Sequence, residues 1–358
     1  MRFIVLIIVM LALLLFAPAA AAFAHSPLFP GENHGPESAY EVDDPAKSWA
    51  IYTSLESDGL ADYYKFTLSE GDKIQLMLIV PESPSSSGVL PSFALLGPGI
   101  TRNDAVPSYV EVPPDYGTMV VDGIDPGKAV FEPFTPGWFY EVASLTVPAP
   151  AGGTYYVAVY DPAVHHDDDN HGHAHEAASY ALIVGYVEAF TPLELIMIPY
   201  SVHEVYVWEG QSQFIVYLPV FLVIVIGGLI VYWRTKRGRE PRNVSKWLAA
   251  FGGLAFTGSA VGTVYQVVLA FTYTGISAEA VITLILVVIS VVLAVFTLLY
   301  ALRSRPVLTP WRRAGLIITG IIALFAWSGF YLGPALVFAA ALLPPYSGKK
   351  LSAEEVIR

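Results

Sequence analysis

One stretch constrains this chain more than any other: Phe214 to Trp233, FIVYLPVFLVIVIGGLIVYW, twenty residues without a charge. A helix rises about 1.5 Å per residue, so this run covers roughly 30 Å, the thickness of a bilayer's hydrocarbon core. It reads as the first membrane span of the mature protein and divides the chain in two. Before it lies an acidic region that carries all eight histidines; after it lie hydrophobic segments with little polar chemistry. A mean hydropathy of +0.54 with only 14% charged residues agrees with a membrane-attached chain.

Charge separates the two parts further. From His25 to Gln213 there are 27 Asp and Glu against five Lys and Arg (Lys47, Lys65, Lys73, Arg102, Lys128), while the remainder is net basic. So acidic a region repels phosphate backbones, which excludes nucleic acid as a partner and favours cations or basic surfaces. Cysteine is absent, so disulfides, thiolate metal sites, cysteine nucleophiles and a lipid anchor on cysteine are excluded. Residues 1–24 have the parts of a secretory signal: Arg2, the apolar run Phe3 to Phe16 and a small-residue tail. Cleavage after Ala22-Phe23-Ala24 would leave His25 as the N-terminus; a cut after Ala22 and an uncleaved signal anchor are the competing readings.

Four membrane helices are expected, at 214–233, 247–273, 280–302 and 314–343, followed by a tail at 344–358. Arg234 to Lys246 carries six basic residues in thirteen, and Arg303 to Arg313 four in eleven, so both loops read as cytoplasmic. Four crossings would return the C-terminus to the outside, against the weak opposition of Lys349 and Lys350, with Gly333-Pro334 a candidate break in the last segment. No ionisable side chain lies within the spans, whereas a proton-coupled transporter needs one. The spacings Gly258-x-x-x-Gly262 and Gly329-x-x-x-Gly333 suit close helix packing. The expected role of this part is an anchor or a partner-binding bundle.

The exported part, 25–210, reads as β throughout. Trp49 to Leu55, Asp62 to Leu68, Lys73 to Val80, Ser92 to Leu96, Tyr116 to Val121, Phe139 to Val147, Thr154 to Tyr160 and Ser179 to Val187 are rich in Val, Ile, Tyr, Phe and Thr and are divided by Gly, Pro, Asp and Ser. No helix-period stretch of useful length is expected there. The fold class is an all-β extracytoplasmic sandwich or jelly roll followed by an all-α four-helix transmembrane domain. The stretches ADYYKFTLSEGD (61–72), PSFALLGP (91–98) and AGGTYYVAVY (151–160) resemble the bacterial pre-peptidase C-terminal domain. That resemblance covers Trp49 to Val187 and implies a non-catalytic β-sandwich of the kind attached to secreted enzymes. Here no peptidase precedes it, a Pro-rich insertion (Pro98 to Pro136) interrupts it, and a membrane region follows.

The candidate chemistry lies in the histidines. The segment 165–176, HHDDDNHGHAHE, places His165, His166, His171, His173 and His175 beside Asp167, Asp168, Asp169 and Glu176. Imidazole nitrogen is a good ligand for Cu(II), Zn(II) and Ni(II), and adjacent carboxylates concentrate cations and can complete a coordination shell. If the segment is extended, the alternation of His171, His173 and His175 puts three rings on one side. A solvated polar loop with weak, nonspecific affinity is the plainer reading. A mature N-terminal His25 would offer an α-amine and an imidazole together, resembling the N-terminal ligand of periplasmic copper carriers and of copper monooxygenases with a histidine brace. His34 or a histidine of 165–176 would supply the further imidazole that a brace needs. His203 reads as an interfacial polar residue.

Catalytic motifs are missing: there is no Gly-x-Ser-x-Gly elbow, no phosphate loop and no His-Glu-x-x-His helix. Asp43-Asp44 and the pair Asp122 and Asp125 read as solvated turns or loose Ca²⁺ sites. The expectation is a non-enzymatic, multi-pass protein of the cytoplasmic membrane, its large N-terminal domain outside, capturing or buffering a divalent transition metal, copper or alternatively zinc. Its metal ligands would come from His25, His34, His165, His166, His171, His173, His175, Asp167, Asp169 and Glu176, and its other partners are membrane lipid and an envelope protein. Two rivals are an envelope protein whose sandwich binds a protein or glycan, and an accessory subunit of a copper enzyme.

Overall fold

The computed structural model describes residues 25–55, 60–82, 90–125, 127–162, 178–238, 243–303 and 309–343. Residues 1–24, where a signal was expected, the histidine-rich segment 165–176 and residues 344–358 lie outside them. The described residues form two compact units: 25–213 with Gln266–Ile282, and Phe214–Tyr265 with 283–343.

The first unit is a sandwich of two sheets. Sheet A holds, in order, β1 (Ser26–Leu28), β3 (Trp49–Leu55), β11 (Ala178–Val184), β5 (Lys73–Pro81), β9 (Gly137–Pro148) and β8 (Val130–Glu132). Sheet B holds β2 (Tyr40–Glu41), β4 (Asp62–Leu68), β10 (Gly153–Tyr160), β6 (Ser92–Gly97) and β7 (Gly117–Val121). Pairing is antiparallel except at one edge of each sheet, where β1 runs parallel to β3 and β2 parallel to β4. The period of two sorts the side chains. Ile51, Tyr64, Phe66, Leu76, Leu78, Phe93, Leu95, Tyr155, Val157, Tyr180 and Leu182 meet between the sheets. Fully burying an aliphatic or aromatic side chain of this size contributes about 2 kcal/mol, so this layer is the main source of stability.

Both outer faces are also covered. On β10, Tyr155, Val157 and Val159 point into the central core, while Ala158 and Tyr160 point outward against Ala61, Tyr63, Leu96 and Val110. The Pro-rich insertion thus supplies Val110, with Val106 and Tyr109 beside it, to roof sheet B. Over sheet A, Ala50, Ile79, Ala181 and Ile183 are covered with the help of Trp208. That tryptophan ends helix α1 (Pro192–Trp208), and its indole N–H donates to the carbonyls of Thr53 and Tyr180. A helix here departs from the expected all-β domain. Its sequence, PLELIMIPYSVHEVYVW, is apolar nearly all round and so lacks a 3.6-residue stripe. Its start is nevertheless written in the sequence: Thr191 and Glu194 form a reciprocal capping box, with Pro192 in the first turn.

The second unit contains three helices long and apolar enough to cross a membrane: α2 (Gln213–Lys236), α3 (Val244–Tyr273) and α4 (Ala280–Leu302). The expected fourth span, 314–343, is not one helix. It divides into α5 (Pro310–Phe325) and α6 (Leu332–Leu342), joined by a six-residue turn. Trp327, Gly329 and Phe330 all have positive φ there (53°, 72° and 51°), which reverses the chain. The break therefore falls ahead of Gly333-Pro334. The two arms pack side by side, since a Cβ on Gly320 would stand 2.6 Å from the Phe338 ring. Arg313 at the start of α5 donates to the Leu343 carbonyl at 2.8 Å, just past the end of α6. A four-helix count is thus inexact, because a long apolar sequence reads as a span whether it runs straight or doubles back.

Candidate functional site

Three of the eight histidines fall among the described residues: His25, His34 and His203. His34 sits on the loop before β2, and that loop is pinned to β4. Asn33 donates its side-chain amide to the Tyr63 carbonyl at 3.0 Å, and the Tyr63 N–H donates to the Asn33 carbonyl at 2.7 Å. This places His34 Nδ1 3.1 Å from Asp62 Oδ1 at the first residue of β4. The Asp62 side chain is 3% exposed and that of His34 24%.

Asp62 has a second hydrogen bond from inside the sandwich. Tyr180 on β11 donates its hydroxyl to Asp62 Oδ2 at 2.6 Å, and the Tyr64 hydroxyl lies 2.7 Å from that of Tyr180. Burial pushes both phenols far above their ordinary values, so they remain protonated. The chain of donation runs from Tyr64 to Tyr180 to Asp62. Asp62 thus meets Tyr180 through Oδ2 and the Nδ1 of His34 through Oδ1, which fixes the orientation of the ring. This is the arrangement in which a carboxyl group orients an imidazole as a metal ligand. Asp62, Tyr180 and Tyr64 were not legible as site residues, because the partners are 116 and 118 positions apart.

The strands that flank the histidine-rich segment, β10 and β11, end and begin at the same end of the sandwich. Val159, near the end of β10, pairs with Asp62, and Ala178, the first residue of β11, pairs with Leu55. The segment joining β10 to β11 therefore leaves and re-enters the described structure beside the His34 and Asp62 pair. At this end too, the Trp138 indole N–H donates to the Ala270 carbonyl at 3.1 Å, and Phe131 packs on Phe271. His165, His166, Asp167, Asp169, His171, His173, His175 and Glu176 lie outside the described residues.

His25 is elsewhere. It precedes β1, whose Ser26 pairs with Trp49, four residues along β3 from the Thr53 that faces Tyr180. That separation is roughly 13 Å along the strand. His25 Nδ1 lies 2.6 Å from Ser48 Oγ, and burial lowers the ring to about 4, so it is neutral at ordinary pH. The structure does not bring His25 and His34 together. His203 is buried on α1. Among the described residues, no group of three or more His, Cys, Asp or Glu side chains is placed to hold a metal.

A second polar cluster escaped the sequence reading. Glu209 follows α1, and its Oε1 approaches Gly137, the residue paired across the sheet with Glu132. Each residue is half-buried as a whole, yet its carboxyl group is enclosed by protein. Burial raises Glu132 to about 7 against a hydrogen bond from the Phe134 N–H, and raises Glu209 to about 8 against one from Gln211. Gln211 and Gln266 exchange reciprocal amide hydrogen bonds at 3.0 and 2.9 Å.

No family model matches the chain, and no curated protein matches it. Among solved structures the chain is similar to the pre-peptidase C-terminal domain of collagenase from Bacillus anthracis, at 15% identity over 44% of this chain and 94% of that one, with a TM-score of 0.20. It is also similar to CorA, a surface-associated copper-binding protein important in Methylomicrobium album BG8 copper acquisition, at 10% identity over 46% and 99%, TM-score 0.20. A third is MopE, a secreted protein of Methylococcus capsulatus in which an oxidized tryptophan facilitates copper binding, at 14% identity over 45% and 99%, TM-score 0.22. The pre-peptidase C-terminal likeness expected from the sequence thus recurs among these neighbours, while the assignment of a two-sheet sandwich rests on the strand registers.

Proposed function

We propose that this protein is a membrane-tethered, extracytoplasmic metal-binding protein that captures or buffers copper, with zinc the alternative, and that it is not an enzyme. The observation that carries this reading is the imidazole of His34, oriented by Asp62 at the end of the sandwich where β10 ends and β11 begins, the two strands that flank the sequence HHDDDNHGHAHE. Copper ranks first because imidazole-rich donor sets favour Cu(II) over the other divalent first-row metals. The acidic surface raises the local cation concentration, and the three long apolar helices hold the domain at the membrane. No cysteine is available as a soft ligand, so the donors are nitrogen and oxygen.

The test is calorimetric titration of the purified full chain in detergent with Cu(II) and Zn(II), beside variants lacking residues 165–176 or carrying His34→Ala. Submicromolar binding that is lost with the segment and weakened by His34→Ala supports the proposal. Binding no tighter than micromolar in the intact protein removes it. Unchanged affinity in His34→Ala would confine the ligands to 165–176. Loss of an orienting hydrogen bond typically costs about 10- to 100-fold in metal affinity, so Asp62→Asn should weaken binding by that order if His34 is a ligand.

A further inference from the structure

The last apolar segment has a feature that the membrane-tether reading above does not contain. Helix α5 has 16 residues and α6 has 11. These correspond to about 24 Å and 17 Å of helix, each short of the roughly 30 Å needed to cross. They are antiparallel, with Gly320 against Phe338 near the middle and Arg313 bonded to the Leu343 carbonyl at the base.

The base also coincides with one end of the long helices. Ser245, in the first turn of α3, donates to the Ala340 carbonyl at 2.7 Å and lies 3.1 Å from the Tyr300 hydroxyl near the end of α4. Lys246 Nζ donates to the Arg303 carbonyl at 2.7 Å. Arg303, Arg312, Arg313 and Lys246 therefore gather at one end of the bundle, the end the positive-inside rule assigns to the cytoplasm.

The turn reaches only part-way up α3. Gly329 and Gly333 both pack on Phe256, eleven residues or about 16 Å beyond Ser245. Irregular backbone at membrane depth is tolerated where protein encloses it. Here Ala326, Ser328, Gly333 and Pro334 are buried, and the Ser328 hydroxyl has no hydrogen-bond partner.

We propose that α5 and α6 form a re-entrant hairpin that enters the membrane from the cytoplasmic side and returns to it. The chain then crosses three times, and its C-terminus lies with the basic loops, opposite the exported sandwich. The sequence after Leu343, including Lys349 and Lys350, is thereby delivered to the cytoplasmic face, available to a partner on that side and barred from the metal-binding side. This inference rests on the membrane-tether reading, and its test separates the two.

The natural chain has no cysteine, so single cysteines can be placed without background: Thr101→Cys in the sandwich, Arg237→Cys in the first basic loop and Ser347→Cys after the hairpin. Each full-length variant is exposed to a membrane-impermeant maleimide in intact and in permeabilised cells. The expected result is labelling of Thr101→Cys in intact cells, with Arg237→Cys and Ser347→Cys labelled only after permeabilisation. If Ser347→Cys labels in intact cells as Thr101→Cys does, the hairpin is overturned and a fourth crossing takes its place, leaving the tether intact. If Thr101→Cys and Arg237→Cys label alike, the tether itself fails, and the hairpin proposal with it.

Discussion

The two units of this protein reach close packing through different contacts. The sandwich buries polar chemistry and satisfies it: Asp62 is held by Tyr180 and His34, and Trp208 donates to two carbonyls. The helical unit also satisfies buried polar groups such as Ser245, and its helices approach one another at glycines. A Cβ on Gly252 would stand 2.7 Å from Val337, one on Gly253 2.7 Å from Leu298, and one on Gly227 2.3 Å from Leu254. In water, buried hydrogen bonds add specificity to an apolar core that already drives folding. In lipid, apolar contact alone does not favour association, so close approach through small residues replaces it. The difference teaches what a substituted glycine would meet: backbone carbonyls and a ring in the sandwich, as at Gly117, Gly185 and Gly97, and side chains of neighbouring helices in the other unit.

The largest effect expected is from Asp62→Ala, which leaves the Tyr180 hydroxyl buried without its acceptor. About 3 kcal/mol should be lost in denaturant unfolding of the sandwich, with a comparable loss for Tyr180→Phe, since that change takes the acceptor from the buried Tyr64 hydroxyl and a donor from Asp62 Oδ2. An Asp62→Ala protein as stable as the natural one would break the comparison at its strongest point. Next, Gly320→Leu should lower the stability of the helical unit by about 2 kcal/mol through overpacking against Phe338, measured as earlier thermal aggregation in detergent, while the same change at exposed Gly31 should be silent.

The pH dependence sharpens the comparison, because resolved carboxyl and imidazole shifts lie in the sandwich. Glu132 and Glu209 are raised to about 7 and about 8, so the folded state binds more protons than the unfolded one between roughly pH 4.5 and 8, and stability should fall as pH rises through that window. His25, lowered to about 4, acts oppositely: the unfolded chain binds more protons between about pH 4 and 6.5, so its contribution rises across that range. Glu132→Gln with Glu209→Gln should flatten the alkaline fall in thermal melts recorded from pH 6 to 8.5; an unchanged slope would show that neither carboxyl group is held protonated. The smallest effect is at the helix cap, where Thr191→Ala should cost about 1 kcal/mol by removing the hydroxyl that accepts from the Glu194 N–H.

Much of the fold was legible because periodicity is a local property. Trp49–Leu55 and Asp62–Leu68 begin and end with the runs rich in aromatic and β-branched residues. β1, β2 and β8, of two or three residues, are too short to show a period. Helix α1 is hidden by the covering it provides and receives, which makes its sequence apolar on most sides. The hairpin reads as a span because hydropathy records length and composition but not direction. The histidines announce themselves as donors. Asp62 does not, since its importance arises only when β4 and β11 are brought together from opposite sheets.

The first two strands have a consequence for biogenesis. β1 borders sheet A and β2 borders sheet B, so the stretch from Ser26 to Glu41 hems both sheets. Neither hem can be sewn until residues synthesised later have arrived, and each bare margin would meanwhile invite strands from neighbouring molecules. A product trimmed beyond Glu41 would keep its central layers but carry two adhesive rims, and its failure would be clumping in the envelope rather than unfolding.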